Sequence, residues 1–519
     1  MAKSARIVKN IFKGTISSQT LQISSFILNI LYSIILLRLL PPREIGLLEL
    51  AGAPLGILYI AAGFGLDQAV INFVSKNREK GNESGINDVL LTAFILRMGI
   101  IFICSCLMFL LSEIIAAFYG ATLLVPLLRI KIIQFFVSSL GGIAGATFTA
   151  YHKYEYSVYI LVSNRLLSLV IVPILIILGF GVVGAAFGEL VSAIVLTTVT
   201  LFVWKRFFPQ KTEKFRFKVT IKQLLSYGVP LGVGDIFYSI QDNSGKLILG
   251  VFGPPEWIAY YTLAYNLASF PIKIASSLNT ALFPTMSELE GRNEENYLQK
   301  TFKMTFNFLT ILSVFLIGSF LLLTETIIVL LYTIQYLPAV VLAQIVVTVN
   351  LLWYWGIPTN NLLLAKGKTK VITAGNIVRA ILTVSLELLS IPIFGLIGAC
   401  ISKVIGIAAD ILILVLYFKI RTDFQIDFRF VAKMNLIFGF SLCVSYILNL
   451  LLISTFLIYG LFIGIFLVLV IVFRGFTRKD FILLSPILDF LPQSLAPSAK
   501  KIGSFINSVL REEKHEQEK

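Results

Sequence analysis

The chain has 519 residues, of which 57% are apolar, 14% charged and 13% aromatic, with a mean hydropathy of +0.89 and a formal net charge of +15. Soluble domains are roughly 45–50% apolar and about 25% charged, so these proportions exclude a soluble globular protein, a disordered chain and a collagen-like one. Long unbroken apolar runs exclude a membrane barrel, which leaves an all-α polytopic membrane protein.

In chain order, hydropathy predicts about fourteen transmembrane helices. They lie near residues 16–37, 46–73, 88–111, 122–150, 157–178, 182–204 and 223–252, then 257–284, 302–323, 338–364, 370–391, 395–418, 431–452 and 457–473. Short turns bounded by Pro or Gly separate them, such as Pro41-Pro42, Gly179-Phe180-Gly181, Gly253-Pro254-Pro255 and Pro392-Ile393-Phe394-Gly395. The four cysteines sit inside apolar runs, and Cys104 and Cys106, two apart, point to different helix faces. With only His152 and His515, no Cys/His spacing suits a metal. No cleavage site follows the first apolar run, so no removable signal peptide is expected.

Basic residues test this map. Of the 43 lysines and arginines, 33 fall in one alternating set of loops and the tails, densest at Lys205, Arg206, Lys211, Lys214, Arg216, Lys218 and Lys222. The opposite loops hold Arg38 and Arg43. This asymmetry predicts a multi-pass protein of the cell membrane with both termini cytoplasmic. It also accounts for the net charge through topology, so no nucleic-acid partner is implied.

The sequence repeats itself. Pro41-Pro42-Arg43-Glu44-Ile45-Gly46 resembles Pro254-Pro255-Glu256-Trp257-Ile258-Ala259 at an offset of 213. Phe180-Gly181-Val182-Val183-Gly184-Ala185 resembles Phe394-Gly395-Leu396-Ile397-Gly398-Ala399 at 214. Six spans separate the copies, an even number, so both halves enter the membrane in the same direction. The predicted division is a six-helix lobe at 1–204, a cytoplasmic linker at 205–222 and a second lobe at 223–418. Two further helices follow at 431–473, then a cytoplasmic tail at 474–519. Two lobes with a cleft between them suit alternating access.

Charges inside the spans are costly at about 2.5–3.5 kcal/mol each, so they need a cavity or a partner. Eight basic residues lie there: Arg97, Arg129, Lys131, Arg165, Lys246, Lys273, Arg379 and Lys403. On the seventh span Asp235, Ser239, Asp242 and Lys246 share one face, with Asp242 and Lys246 at pairing distance along the helix. Subtracting 213 gives Gln22, Asn29 and Ser33 on the first span, so both lobes are expected to line a cavity with a polar stripe. Arg165 and Arg379 are equivalent in the repeat, as are Glu189 and Lys403, which differ in sign. Arg165–Glu189 and Lys403–Glu387 pairs are an alternative to ligand contact.

The stretches Arg38-Leu-Leu-Pro-Pro-Arg-Glu-Ile-Gly46, Gly65-Leu66-Asp67, Tyr227-Gly-Val-Pro230, Leu249-Gly250-Val-Phe252 and Tyr260-Tyr-Thr-Leu-Ala264 carry a resemblance, as do Ala365-Lys-Gly367-Lys-Thr-Lys370 and the two Phe-Gly segments. In order and spacing, over about residues 15–475, the chain resembles polysaccharide-exporting, Wzx-type flippases of the multidrug/oligosaccharidyl-lipid/polysaccharide (MOP) exporter superfamily. It departs from them at Gly245, where many relatives carry an acid before the basic residue; Asp242 lies one turn earlier.

The resemblance implies a non-enzymatic flippase for cell-surface polysaccharide synthesis, with two six-helix lobes forming a V that opens to either side. Its implied substrate is an isoprenoid pyrophosphate-linked glycan, moved from the cytoplasmic to the outer leaflet. Arg97, Arg165, Lys246, Lys273, Arg379 and Lys403 are the expected cationic cleft for the pyrophosphate, since arginine grips phosphate bidentately. Gln22, Asn29, Ser33 and Ser239 are expected to line it. Asp235, Asp242 and Asp67 are candidates for proton or sodium coupling, with no other cofactor and no metal. Membrane lipids are the remaining partner, and the oligomeric state is left open, a monomer included. A multidrug or cation antiporter of the same superfamily and a peptidoglycan-precursor flippase are the alternatives.

Overall fold

A computed structural model describes residues 24–207, 217–276, 286–292, 294–421, 426–450 and 455–472. The predicted stripe residue Gln22 and the 474–519 tail lie outside them, as does half of the predicted linker, residues 208–216. Among the described residues the chain is helical with no strand. The first helix, α1, spans Ser24–Leu39. There follow α2 (Pro42–Gly63), α3 (Leu66–Glu79), α4 (Glu83–Phe118), α5 (Leu124–Leu140), α6 (Gly142–Ala150), α7 (Tyr154–Leu175) and α8 (Gly181–Trp204). The remainder are α9 (Phe217–Phe252), α10 (Pro255–Ser276), α11 (Glu295–Leu331), α12 (Ala339–Ala365), α13 (Thr369–Arg421), α14 (Phe428–Leu450) and α15 (Thr455–Val472).

Among the described residues eight helical stretches are long and apolar enough to cross a membrane, and two of them, Glu155–Phe207 and Lys370–Phe418, run to 53 and 49 residues. A straight helix of about 50 residues would be about 75 Å long, over twice the hydrocarbon thickness. Each instead breaks at a glycine. Gly181 (φ 52°, ψ −141°) and Gly395 (φ 56°, ψ −130°) take the same backbone conformation, one that excludes side chains. The predicted spans at 46–73 and 122–150 are each two helices. The first bends at Phe64-Gly65, both at positive φ, and the second at Gly141.

The sequence repeat is a repeat of helix boundaries. Pro42 and Pro255 open helices 213 apart, Glu83 and Glu295 212 apart, and Tyr154 and Thr369 215 apart. The breaks at Gly181 and Gly395 are 214 apart. Even the residues at these breaks correspond: Glu44 accepts a hydrogen bond from the Val182 N–H (3.1 Å), and its counterpart Trp257 lays its ring against Gly395. Exposed side chains along α4, including Phe102, Leu110, Ile114 and Phe118, form an apolar face suited to lipid.

The chain divides into two compact units, one of residues 1–266, 327–343 and 373–410, the other of 267–326, 344–372 and 411–519. In the second, Val314 of α11, Met434 of α14 and Phe466 of α15 form a buried core. Its α12 is tied to α10 by Asn350, which donates to the Ala268 carbonyl, and by Tyr354, which donates to that of Pro271. In the first, Leu66, Val70, Leu90 and Phe148 build the core, and Trp204 donates to Thr147 beside it.

That first unit also contains a tight seam between α2 and α9. The seam is flanked by two close backbone approaches: a Cβ at Gly46 of α2 would overlap the Pro255 carbonyl at the start of α10, and one at Gly65, just before α3, the Gly228 carbonyl of α9. Beside Pro42, Arg38 donates to the last carbonyls of α11, at Leu330 and Leu331 (Nε–O 2.7 Å for the latter).

Candidate functional site

Most intramembrane cations are matched with carboxylates. Arg97, 1% exposed, reaches Asp67 at 2.5 Å and packs over the Tyr59 ring. Lys246 pairs with Glu49 of α2 at 2.7 Å, and Arg129 with Glu113 at 2.6 Å. Arg379 reaches Asp410 at 3.3 Å across the two halves of α13, and both side chains are over nine-tenths buried. A lone charge in hydrocarbon is expensive, and pairing is the cheapest remedy.

Lys403 sits in a different cage. Its ammonium lies 4.0 Å from the Tyr265 ring centroid, 5.3 Å from that of Tyr261 and 3.9 Å from Asp242. Glu387 lies beside it, accepting from the Ser244 hydroxyl at 2.5 Å. A Cβ at Gly245 would meet the Tyr261 hydroxyl at 2.7 Å and Glu387 Oε1 at 3.1 Å. The residue that departs from the flippase pattern therefore makes room for Glu387, which brings a carboxyl to that place from another helix.

The equivalent place in the first repeat is centred on Glu189 of α8. Lys131 of α5 donates to its Oε2 and Tyr32 of α1 to its Oε1, each at 2.5 Å. Arg165 of α7 stacks over the Tyr32 ring, 4.5 Å from its centroid, close enough for its charge to act on Glu189. Among the described residues no carboxylate lies within 4 Å of Arg165, which is half-buried.

The six expected cleft cations thus separate. Arg97, Lys246, Arg379 and Lys403 are partnered by carboxylates, Lys273 is exposed on α10 and also has a partner, and Arg165 stands on an aromatic ring. The seventh-span stripe separates as well: Lys246 turns to α2, Asp242 to α13, and Asp235 accepts from Gln68 of α3 at 3.3 Å. Ser239 is buried and donates to the Gly56 carbonyl, so it seals the α2–α9 seam where a cavity-lining role was expected. Ser33 donates to the Ile30 carbonyl and meets the Tyr332 hydroxyl, while Asn29 donates back to the Ser25 carbonyl.

The sequence matches the family described as polysaccharide biosynthesis protein over residues 11–290, more than half of the chain. The chain belongs to this polysaccharide biosynthesis protein family. The match takes in the whole first repeat and, in the second, α9 and α10. An uncharacterized membrane protein of Methanocaldococcus jannaschii is 25% identical over 389 residues, 71% of this chain and 76% of its own length.

Among solved structures, the lipid II flippase MurJ in an inward closed conformation is similar with a TM-score of 0.73 at 14% identity, over 88% of this chain and 98% of that one. An inward-facing multidrug resistance MATE family transporter of the MOP superfamily is similar with a TM-score of 0.66 at 17% identity, over 78% and 98%. At such identities the likeness is one of fold. This polysaccharide biosynthesis family member is therefore a multi-pass helical membrane protein with the MOP-exporter fold.

Several residues of the family member's site were missed in the sequence. No motif in the sequence singles out Tyr32, Tyr265 or Glu49, and Tyr261 enters only as part of the motif Tyr260-Tyr-Thr-Leu-Ala264. Tyr32 carried one usable signal: it lies three residues after Asn29 and hence on the same helical face as the predicted stripe.

Proposed function

We propose that this chain is a membrane flippase that carries a lipid-linked glycan with an anionic phosphate head from the cytoplasmic to the outer leaflet of the plasma membrane. Arg165 is the residue that meets the head group. The supporting observation is that, among the described residues, no carboxylate lies within 4 Å of Arg165, whose guanidinium is held over an aromatic ring. A guanidinium so placed offers forked donors to phosphate oxygens, and it interacts strongly where water is scarce. The isoprenoid tail stays in lipid. The excess of basic residues in one set of loops supports a cytoplasmic position for both termini.

Movement follows from the repeat: residues 1–204 and 223–418 rock as two lobes, and the α2–α9 seam is the contact that separates. Of the acids considered for ion coupling, Asp67 and Asp242 have basic partners, and Asp235 has none within 4 Å among the described residues. Asp235 is the proposed coupling acid.

The test is complementation of a strain lacking the gene, with lipid-linked glycan measured on each face of the membrane. Arg165→Ala protein that reaches the membrane is expected to leave the glycan on the cytoplasmic face. Normal export from an Arg165→Ala/Arg379→Ala double variant would refute the assignment. Unchanged glycan with altered sensitivity to cationic dyes would favour drug export.

A further inference from the structure

Glu189 is the natural counter-ion for Arg165. Arg165 and Glu189 lie on the packed helices α7 and α8, and the arginine's charge already acts on the carboxylate. Yet each carboxylate oxygen is engaged by another donor, Oε2 by the Lys131 ammonium and Oε1 by the Tyr32 hydroxyl. The Lys131 and Glu189 side chains are 14% and 15% exposed, so solvent does little to loosen this arrangement. A bidentate arginine–carboxylate pair needs both oxygens presented to the guanidinium fork. Both are occupied.

Comparison with the second repeat shows that the arrangement is specific to this place. Arg379 is neutralised by Asp410, whose counterpart at an offset of 214 is Leu196. Lys131 at the α5–α12 offset of 215 corresponds to Val346. The first repeat thus lacks the arginine's acid and has gained a lysine that occupies the remaining one.

We propose that Lys131 is a positioning residue: by engaging Glu189 together with Tyr32 and balancing its charge, it keeps Arg165 available to a diphosphate head group. The inference rests on the head-group reading above for its ligand, and on the geometry alone for the role of Lys131. Lys131 need not touch the ligand. Its effect runs through the choice Glu189 would otherwise make.

Two measurements on the purified full chain test it. The first is mass-spectrometric mapping of Arg165 after an arginine-directed dicarbonyl reagent; the second is binding of inorganic pyrophosphate. Lys131→Met is expected to slow modification of Arg165 several-fold and to weaken pyrophosphate binding about tenfold, as Arg165 turns to Glu189. Lys131→Met/Glu189→Gln is expected to restore both. A Lys131→Met protein that leaves Arg165 equally reactive, or a double variant that stays impaired, would overturn the proposal.

Should Lys131→Met fail to fold, Glu189→Gln alone decides. Arg165 should remain at least as reactive as in the wild type, and a protected Arg165 would overturn the idea. The expected modification pattern without pyrophosphate binding in any variant would overturn the ligand and the head-group reading with it. Pyrophosphate bound equally by all variants would overturn the role of Lys131 and leave that reading standing.

Discussion

The α7–α8 hairpin and the two halves of α13 share one backbone plan and oppose each other in charge. Both turn at a glycine in the same unusual conformation, and both carry an arginine at one repeat position, Arg165 or Arg379. Deeper in the second helix, Glu189 stands where the other copy has Lys403. Around Glu189 gather Lys131, Tyr32 and Arg165; around Lys403 gather Asp242, Glu387 and two tyrosines. The first cluster has two cations for one carboxyl. The second, with Arg379 and Asp410 included, has two cations for three. The repeat keeps what the backbone requires and varies what side chains can trade, so of these two clusters, among the described residues, the first holds the surplus cation.

The largest contrast expected is between the two arginines. Arg379→Leu strands the buried Asp410 and should cost about 3–5 kcal/mol, the usual penalty for breaking one side of a buried pair. Arg165→Leu loses a ring contact and a longer-range attraction to Glu189 and should cost less, about 1 kcal/mol. Thermal unfolding of the two variants in detergent would show this as a large drop for the first and a small one for the second. Equal drops would mean that Arg165 also has a structural counter-ion, which would break the comparison.

How much of this could be read in the sequence depends on distance along the chain. Hydropathy located the spans, and two short motifs revealed the repeat, because both signals are local or recur at a fixed offset. The equivalence of Glu189 and Lys403 followed from that offset. Their partners did not, since Glu189 is joined to residues 58 and 157 positions away and Lys246 to one 197 away. Spacing on α9 suggested that Asp242 would pair with Lys246. Residues four apart on a helix still differ by about 40° in direction, and here each side chain meets a different neighbouring helix. The breaks at Gly65 and Gly141 were invisible because a hydropathy window averages across a bend that costs no apolar residues.

A smaller contrast concerns the two hinge glycines. Alanine at either must adopt a backbone conformation that costs about 1–3 kcal/mol. At 395 the new Cβ would also lie 2.8 Å from the Trp257 ring, whereas at 181 the nearest atom is the Glu44 carboxylate at 3.5 Å. Gly395→Ala should therefore destabilise more than Gly181→Ala, by about 1–2 kcal/mol from overpacking. A Gly395→Ala/Trp257→Leu variant should recover that difference and leave the backbone cost. If it recovers nothing, the ring contact is irrelevant and the two hinges are energetically alike.

The smallest effect separates Glu44 from Trp257, the counterparts that close these hinges. Helix α8 begins with N–H groups that have no partner inside the helix, and Glu44 supplies one from α2 by accepting from Val182. Glu44→Ala should cost about 1 kcal/mol, as loss of a capping side chain does, and should speed amide hydrogen exchange at Val182. Glu44→Gln keeps an acceptor oxygen at the same reach and should preserve most of the protection. Were Gln as damaging as Ala, the carboxylate's charge at the helix N-terminus would be the active ingredient, as a helix dipole favours an anion there. The first hinge would then be held by electrostatics where the second is held by the bulk of an indole ring.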